Sequence, residues 1–404
     1  MFNIKQILEE HGHVVIPFSV KSKRNEPCEY ENFFIEAVDD DIYYTKGKKS
    51  LRVIFKSFSR MFYSLEAKRN LERLIKDTKP DLVYVLQMHN KISPSIFDAA
   101  RNMKIPVVHR ISDFNYMCSN AIFYNDKKGV CEDCIHGNRL SCVKYKCVLN
   151  SHLYSGIKVC AKLFHDLMGV TKRVNSFVVP SQFTLEKLHE YGIPYAKLNY
   201  IPTFFNLKEK DPKVEYKPFV LYIGRIEKQK GLRTLVKAFS YDSDSLIDDK
   251  DIPSLKIIGF SEDSFEEDLK KYLEGRKHNI EFLGRMNFEQ IVPYLKSCMC
   301  TIVPSEWYDN FPNSLIESYA FKKPVIATDF GSMQYMVEEN ETGMKFKYAD
   351  IEDLRRCVNN MLSNPQKSKS MGENGFLKIN NDYSIDTHYK SLINLFESTI
   401  ANYK

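Results

Sequence analysis

Two pairs of charged side chains in the second half of the sequence are the strongest candidates for chemistry. The carboxylates Asp309 and Glu317 stand eight residues apart, on either side of a turn that is predicted to open a helix. Arg225 and Lys230 stand five residues apart, where an earlier strand is predicted to give way to its own helix. Cations can hold phosphate groups, and carboxylates can accept hydrogen bonds from hydroxyls. These residues therefore predict two walls of a pocket for a nucleotide diphosphate that carries a sugar.

The first of these loops begins at Gly224 and ends at Gly231, where the helix Leu232–Ser240 is predicted to start. A helix N-terminus favours anions through its free N–H groups and its dipole. Arg225 adds a planar, bidentate donor and Lys230 a movable point charge, and each charge-assisted hydrogen bond contributes about 1.5–3 kcal/mol. An ordinary surface loop has similar residues, so the assignment to a diphosphate depends on the second loop.

The second loop follows a predicted strand and leads into a helix whose start is predicted at Asn313 or Ser314, both suitable N-caps. Glu317 is predicted to fall in the first helical turn and to face back toward Asp309. A solvated loop acid and a glutamate favoured by the helix dipole are each common alone, but their combination with two upstream cations is not. Free backbone N–H groups in the turn can also bind phosphate. The predicted donor-binding set therefore includes Asn310, Phe311, Asn313 and Ser314, together with Pro312, which belongs to the same turn but has no backbone N–H.

Short apolar runs alternate with amphipathic helices along the chain, a pattern typical of parallel sheets covered on both faces. The pattern occurs twice, and it predicts an α/β fold of two Rossmann-like domains facing a cleft. Strands are predicted in the first half at His13–Phe18, Leu82–Leu86, Pro106–Arg110 and Ser176–Val179, and in the second half at Phe219–Ile223, Leu255–Ile258, Ile280–Leu283, Cys300–Val303, Val325–Thr328 and Met344–Phe346.

Two prolines and a run of charges in residues 201–212 mark the connection between the two domains. We predict an N-terminal, acceptor-side domain at residues 1–205 with a cysteine-rich insertion at 118–150. A nucleotide-sugar-binding domain is predicted at 206–384. The last residues, 385–404, are predicted to form a helix that packs back on the first domain.

Several motifs resemble those of the retaining GT-B glycosyltransferases of family 4, the glycosyl transferases group 1. In the second half they read YIGRIEKQKG, IEFLGRM, VPSEWYDNFPNSLIESYAFKKPVIATDFGS and VEENETGMKF, in the family's order and spacing. In the first half the resemblance is looser, through PDLVYVLQMHN, IPVVHRISDF and VVPSQFTLEKL. The resemblance implies that Arg225 and Lys230 bind the donor diphosphate and that Glu317 contacts the ribose. It also implies that Asp309, which stands where the family has Glu, contacts the transferred sugar.

The same resemblance implies a hexosyltransferase that works with retention of configuration. The cations take the place of a catalytic metal, and the leaving phosphate helps to deprotonate the acceptor on the same face of the sugar. The acceptor is expected to be a glycan or a lipid-linked molecule, as in the synthesis of cell-surface polysaccharide or glycolipid.

On the acceptor side the sequence departs from the family. Many members have a His-Asp pair beyond the strand that here reads Pro106–Arg110, whereas this chain has Ser112 and Asp113. We predict Asp113 as the catalytic group of this side, with Ser112, His89 and His109 as further candidates. A lone histidine at such a place is more often structural.

The start of the chain departs further. It begins in what resembles the first helix of the fold, Ile4–His11, whereas family members begin one strand and one glycine-rich loop earlier. We expect the first domain to lack its first strand, which exposes apolar side chains and predicts poor solubility or lost activity. The alternative function is therefore an inactive, truncated protein that binds a nucleotide sugar without turnover.

Four cysteines, Cys131, Cys134, Cys142 and Cys147, fall within 17 residues. Two short-spaced pairs can form a tetrahedral structural Zn²⁺ site, although the gap between these pairs is shorter than in common zinc ribbons. Cys118 and His136 are spare ligands. Reduced buried thiols and redox-active pairs are the alternatives.

Composition and charge limit the setting. Ten cysteines in 404 residues are few for a disulfide scaffold and fit a reducing cytoplasm. The net charge of +6 is uneven, because residues 1–200 carry 30 Lys and Arg against 21 Asp and Glu. The basic, aromatic segment Lys46–Lys76 suits an anionic membrane surface, but a helix that covers the sheet is the favoured explanation, and different parts of the segment can have the two roles. We predict a cytoplasmic protein, with peripheral attachment to the inner face of the membrane as an extension.

Three other functions compete with the transferase. A nucleotide-sugar epimerase shares the fold, but the DNFPNSLIE turn favours transfer. The inactive binding protein is the second. The third, a zinc-dependent nucleic-acid binder, depends on the cysteines and the basic half alone; no nucleic-acid-binding motif accompanies them, so no nucleic-acid partner is predicted.

Overall fold

A computed structural model describes residues 2–403 except residues 24, 38–56, 58, 90 and 207–211, and it leaves out the side chains of Phe2 and Asn3. The chain divides into two units. The first comprises Met1–Ile201 and Tyr389–Lys404, and the second comprises Pro202–His388. The boundary predicted from the sequence is residue 205, and the predicted returning segment is 385–404.

The first unit contains a parallel four-stranded sheet. Its strands are β1 (Val83–Val85), β2 (Val107–Arg110), β5 (Ser176–Val179) and β6 (Leu198–Tyr200), paired in the order β1-β2-β5-β6. Three of them lie within predicted strands, and β6 was not predicted. A small antiparallel hairpin of β3 (Tyr124–Asn125) and β4 (Gly129–Val130) lies in the cysteine-rich insertion.

Helices surround this sheet. They are α1 (Phe2–Glu10), α2 (Leu65–Thr78), α3 (Ser95–Asn102), α4 (Leu140–Lys144), α5 (His152–Leu167), α6 (Gln182–Glu190) and α14 (Ile385–Tyr403). Leu392 and Leu395 of α14 pack with Val108 and Val178 of the sheet. The C-terminal helix thus contributes apolar surface to the core of the first unit.

The predicted strand His13–Phe18 is wrong. These residues form no strand, and an isolated bridge from Val20 to Ile35 follows them. They line a cavity of about 1530 Å³, and the outer strand β1 lines the same cavity. The apolar run therefore satisfies the pattern of a strand but has no neighbour among the described residues with which to form ladder hydrogen bonds.

The second unit contains a parallel six-stranded sheet in the order β11-β9-β7-β12-β13-β14. All six strands were predicted, because each is a short apolar run bounded by turn residues. Their bounds are β7 (Phe219–Ile223), β9 (Ser254–Ile258), β11 (Ile280–Gly284), β12 (Cys300–Val303), β13 (Val325–Thr328) and β14 (Gly343–Phe346). A separate antiparallel pair joins β8 (Ser240–Tyr241) to β10 (Lys277–His278).

Helices pack on both faces of this sheet. They are α7 (Leu232–Ala238), α8 (Phe265–Leu273), α9 (Phe288–Ser297), α10 (Asn313–Ala320), α11 (Met333–Met336), α12 (Ile351–Ser363) and α13 (Pro365–Asp382). Two separate apolar clusters, one with Val220 and Leu235 and the other with Leu221 and Leu315, cover the two faces.

Helix α10 is held closely by α13. A Cβ added at Gly375 would lie 2.4 Å from the ring of Tyr319, and one added at Gly372 would lie 1.9 Å from the carbonyl oxygen of Lys322. Only glycine permits this approach. The packing fixes the helix that carries Glu317.

Part of the segment Lys46–Lys76 lies outside the described residues. Its last third falls in α2, which buries one apolar face through Ala67, Leu71, Leu74 and Ile75. This part is therefore a helix that covers the core of the first unit. Among the described residues no helix combines the length and hydrophobicity that a membrane span requires.

Candidate functional site

The topology of the second unit brings the two predicted loops together. Strands β7 and β12 are neighbours and run parallel, so the loops that leave their carboxyl ends lie at the same edge of the sheet. Ligands of open α/β sheets bind at this edge. Arg225 and Lys230 follow β7, and Asp309 follows β12.

The start of the first loop is built around close backbone contacts. The Tyr222 hydroxyl donates a hydrogen bond of 2.7 Å to the carbonyl oxygen of Arg225. A Cβ on Gly259 would lie 1.9 Å from the carbonyl oxygen of Gly224, so glycine is required at that contact. The Arg225 guanidinium lies 2.5 Å from a carboxylate oxygen of Glu227 and is half exposed. It is therefore held at the loop yet accessible to an anion.

Lys230 and Asp309 form an ion pair that links the two loops. The Lys230 Nζ donates to Asp309 Oδ1 at 2.7 Å, and the Ser305 hydroxyl donates to Asp309 Oδ2 at 2.5 Å. Only 9% of the Asp309 side chain is exposed. The carboxylate predicted to contact the sugar thus positions the predicted phosphate-binding lysine.

Further contacts fix the two loops against each other. The backbone N–H of Glu306 donates to the carbonyl oxygen of Gln229 at 2.9 Å, and the Thr234 hydroxyl donates to the Glu306 carboxylate at 2.5 Å. Burial raises the pKa of Glu306, and the bond from Thr234 opposes that shift. The loops therefore form one preorganised surface, as binding sites with low reorganisation cost require.

Gly231 is the tightest point of this surface. Its φ is +73°, and an added Cβ would lie 1.8 Å from the carbonyl oxygen of Pro304. We expect Gly231→Ala to lower the free energy of unfolding by more than the roughly 1–2 kcal/mol of left-handed backbone strain alone, because the loop must also move away from Pro304.

Gly275→Ala is the matched control. Gly275 has φ +74° in the same unit, with nothing within 4 Å of an added Cβ, so only the backbone strain should appear. Urea unfolding of the two variants measures the difference. Equal losses would show that the contact with Pro304 is unimportant.

Glu317 differs from the other acids of the site. It lies in the second turn of α10, is half buried, and has no hydrogen-bond or ion-pair partner among the residues that the structure describes. Burial raises the pKa of its carboxyl. A half-buried carboxylate without a partner is available to accept hydrogen bonds from ligand hydroxyls.

The predicted capping of this helix is wrong. Pro312, not Asn313 or Ser314, is the N-cap, and no side chain caps the helix. The first N–H groups of an α-helix have no partner within the helix, so those of Asn313 and Ser314 depend on other acceptors. Phe311 packs edge-on to Tyr383 with ring centroids 5.8 Å apart, which anchors the turn in the core.

Sequence reasoning missed Ser332. Its hydroxyl donates to the carbonyl oxygens of Asp309 and Asn310 at 2.6 and 3.0 Å, and thereby fixes the turn before α10. Ser332 follows β13, the next strand along the sheet, and it is the last residue of the motif VPSEWYDNFPNSLIESYAFKKPVIATDFGS, which resembles the family. Its place in that motif was the signal that could have identified Ser332 as a residue of the site.

An aromatic group was also missed. Tyr308 and Phe330 stack with centroids 4.6 Å apart, and Phe330 lies 4.9 Å from Tyr348. The single tryptophan, Trp307, lies 5.0 Å from Lys230 Nζ, and its ring N–H is buried without a partner among the described residues. These rings give the site apolar walls next to its charges.

In the first unit, the loops after β1 and β2 also meet. Gln87 donates to Asp113 Oδ2 at 3.3 Å, and the Asn115 backbone N–H donates to Asp113 Oδ1 at 2.9 Å. Burial raises the pKa of Asp113 against the effect of these bonds. Ser112 is exposed and donates to the carbonyl oxygen of Leu86. Asp113 is thus held at the carboxyl edge of the first sheet.

A small polar pocket also belongs to the first unit. His89, Asn115, Ser119, Lys158, Lys162 and His165 line it. Burial lowers the pKa of Lys158 to about 8, so that its ammonium form prevails at neutral pH.

The two candidate histidines are neutral and enclosed by aromatic rings. His109 is buried, its Nδ1 lies 2.8 Å from the Tyr116 hydroxyl, and burial lowers its pKa to about 3. The ring of His89 lies 5.5 Å from that of Tyr116, and burial lowers its pKa well below the usual value. His109 is therefore a core residue.

Acid should destabilise the protein through His109. Because its pKa falls from 6.5 to about 3 on folding, the unfolded chain binds the extra proton, and stability decreases as the pH falls through this range. The expected slope is about 1.4 kcal/mol per pH unit, and the nearby His89 acts in the same direction. Chemical unfolding of His109→Gln should show a shallower decrease between pH 6.5 and 4.5. The exposed His152→Gln variant is the control, and an unchanged slope in His109→Gln would refute this role.

The four cysteines predicted as zinc ligands are placed unequally. Cys134, Cys142 and Cys147 belong to one buried cluster, and Cys118 contacts Cys134. Cys131 is half buried and lies outside these thiol pairs. In the described part of the chain, one group of three metal-ligating side chains has its ligand atoms within 4.8 Å of one another: Glu132, His136 and Glu190. Lys187 lies within 3 Å of both of those carboxylates and forms an ion pair with each.

Comparison with known families identifies a relationship for most of the second unit. Residues 204–378 match the model of the family Glycosyl transferases group 1. An uncharacterized glycosyltransferase of Methanocaldococcus jannaschii is 28% identical over 159 residues, which cover 39% of this chain and 42% of that protein. The first three curated relatives are matched over 42%, 61% and 46% of their own lengths, about half on average.

Solved structures resemble the whole chain. Sucrose-phosphate synthase from Thermosynechococcus elongatus has a TM-score of 0.66 at 16% identity, over 99% of this chain and 93% of that chain. The Anabaena protein HepE, solved in complex with UDP, has a TM-score of 0.59 at 14% identity, over 82% of each chain. These likenesses confirm the predicted α/β fold with two Rossmann-like domains.

Proposed function

We propose that this chain, which has the GT-B fold and matches the glycosyl transferases group 1 over residues 204–378, moves a sugar from a nucleotide-diphosphate sugar to an acceptor. The observation that carries the proposal is the meeting of Lys230 and Asp309 at the carboxyl ends of neighbouring strands, before the helix that presents Glu317. Transfer of a sugar at that edge of the sheet requires cations that bind the phosphates and carboxylates that accept hydrogen bonds from the hydroxyls.

The cations have the main role in this mechanism. Arg225 and Lys230 hold the diphosphate and stabilise the negative charge that develops on it as the bond to the sugar breaks. The N–H groups of Asn313 and Ser314, at the start of the uncapped helix, add hydrogen bonds to the same group. These residues supply the charge that a divalent metal supplies in other transferases, so adding Mg²⁺ should leave the initial rate unchanged.

The carboxylates have separate roles. Glu317 accepts hydrogen bonds from the ribose hydroxyls. The main role of Asp309 is to position Lys230. Its remaining lone pairs accept a hydrogen bond from a hydroxyl of the transferred sugar. On the acceptor side, Asp113 binds or orients the attacking hydroxyl. The leaving phosphate accepts the proton on the same face, which gives retention.

The acceptor class follows from sequence resemblance and from the basic residues of the first unit. A glycan or a lipid-linked molecule is the proposed acceptor, and the ammonium group of Lys158, at the small polar pocket of this unit, can attract a phosphate of the acceptor. Synthesis of cell-surface polysaccharide or glycolipid at an anionic membrane surface is the corresponding role.

Transfer assays test the proposal. The purified protein is incubated with UDP-, GDP- and ADP-sugars, with and without lipid-linked and glycan acceptors, and released nucleotide and product are measured. We expect one donor to react, and NMR of the product to show the donor's anomeric configuration. Inversion would refute the mechanism. If one donor binds tightly but is neither transferred to an acceptor nor hydrolysed by water, the result would favour the inactive nucleotide-sugar-binding protein.

A further inference from the structure

The insertion between β2 and α5 is an irregular part of the first unit that must be stabilised by something other than regular structure. Its hairpin strands β3 and β4 have two residues each, and α4 has five. Five of its non-glycine residues have positive φ: Ala121, Phe123, Lys146, Leu149 and Asn150. Each such residue costs roughly 1–2 kcal/mol in backbone strain, so the surrounding contacts must compensate.

Thiols occupy the centre of this insertion. Cys118, Cys134 and Cys142 are 6%, 6% and 2% exposed, and Cys147 is half buried. The Cys118 and Cys134 thiols contact each other, as do those of Cys142 and Cys147. Cys134, Cys142 and Cys147 also pack in one cluster with Val148. Two thiol pairs, drawn from separate stretches of chain, therefore lie side by side.

The sulfur atoms are also supplied with backbone donors. The N–H groups of Asn120 and Phe123 are directed at the Cys118 sulfur, and that of Ser119 at the Cys134 sulfur. Neutral thiols are weak acceptors, whereas metal-bound thiolates require such outer hydrogen bonds to balance their charge. These donors would stabilise the thiolates of a bound metal ion.

We propose that Cys118, Cys134, Cys142 and Cys147 bind one Zn²⁺ ion in a closed, four-thiolate structural site. The set differs from the one that spacing predicted, because Cys118 replaces Cys131. Zinc–sulfur distances of about 2.3 Å require the two pairs to move toward each other, since no three of these sulfurs lie within 4.8 Å of one another in the described structure. The ion holds the strained insertion and takes no part in sugar transfer.

Metal analysis of single variants tests the proposal. We expect the purified protein to contain one zinc per chain and to give sulfur-to-cobalt charge-transfer bands when Co²⁺ replaces zinc. Cys118→Ser should lose the metal and the bands. The controls Cys131→Ser and Cys160→Ser should keep both, since Cys131 lies outside the pairs and Cys160 is exposed. Absence of zinc from protein expressed with zinc, or loss of zinc in Cys131→Ser alone, would overturn the assignment.

A second measurement covers variants that fail to fold. The unaltered protein is alkylated in its native state, and peptide mass spectrometry reads which cysteines are protected. Zinc should protect Cys118, Cys134, Cys142 and Cys147, and a strong chelator should remove that protection, while Cys160 reacts throughout. Fewer than ten free thiols after denaturation without reductant would reveal disulfides instead, and would contradict the zinc site.

Discussion

A Glu317→Gln variant is expected to lose turnover by roughly 10- to 150-fold, the equivalent of the 1.5–3 kcal/mol of a hydrogen bond to a charged group. Its free energy of unfolding should stay at or above that of the unaltered protein. Burial raises the pKa of Glu317, so this carboxylate destabilises the folded state at neutral pH, and a neutral amide of the same shape removes that cost. Steady-state kinetics and urea unfolding measure the two effects.

Glu289→Gln is the matched control, because Glu289 is an exposed glutamate in the first turn of another helix of the same unit. It should leave turnover unchanged and lower the free energy of unfolding by no more than the roughly 0.3–1 kcal/mol that a negative charge near a helix N-terminus contributes. Full turnover in Glu317→Gln would remove Glu317 from the site. A large loss of stability would show instead that the carboxylate is structural.

Lys230→Met is expected to have the second large effect. It removes a cation from the diphosphate, which predicts a decrease in kcat/KM of roughly 10- to 150-fold. It also leaves Asp309 buried without its partner, which should cost about 3–5 kcal/mol of stability. The exposed neighbour Lys228→Met should change neither quantity, because it makes no contact with Asp309.

Adding Asp309→Asn to Lys230→Met separates the two roles. The double variant should regain much of the stability, because the unpaired buried charge is gone, yet it should not regain turnover, because the cation is still missing. Recovery of turnover together with stability would show that Lys230 acts only by supporting the fold.

The second sheet could be predicted almost completely from the sequence. Phe219–Ile223, Cys300–Val303 and Val325–Thr328 coincide with observed strands because each is buried on both faces and bounded by turn residues. His13–Phe18 carries an equally apolar pattern and is not a strand. A pattern records which residues avoid water, but ladder hydrogen bonds depend on a neighbouring strand that local sequence does not specify. Leu198–Tyr200 was missed because three residues with a central Asn give little periodicity.

The charges of the candidate site could be predicted, but their partners could not. Lys230 and Asp309 were both identified, yet they are 79 residues apart in the chain, and only the adjacency of β7 and β12 pairs them. Cys131 was preferred to Cys118 because it is close in sequence to Cys134, whereas contact in space joins Cys118 to Cys134. The prediction of the helix cap was wrong for a similar reason, because the presence of a suitable Asn or Ser does not itself determine where the turn ends.

The central claim is that the second unit binds a nucleotide diphosphate through Lys230 and Glu317. Calorimetric titration of the purified protein with UDP, GDP and ADP tests it most directly. We predict that one of the three binds at one site per chain, and that Lys230→Met and Glu317→Gln each weaken it by about tenfold or more while Lys228→Met and Glu289→Gln do not. Binding of none of the three, or equal affinity in all four variants, would contradict the claim.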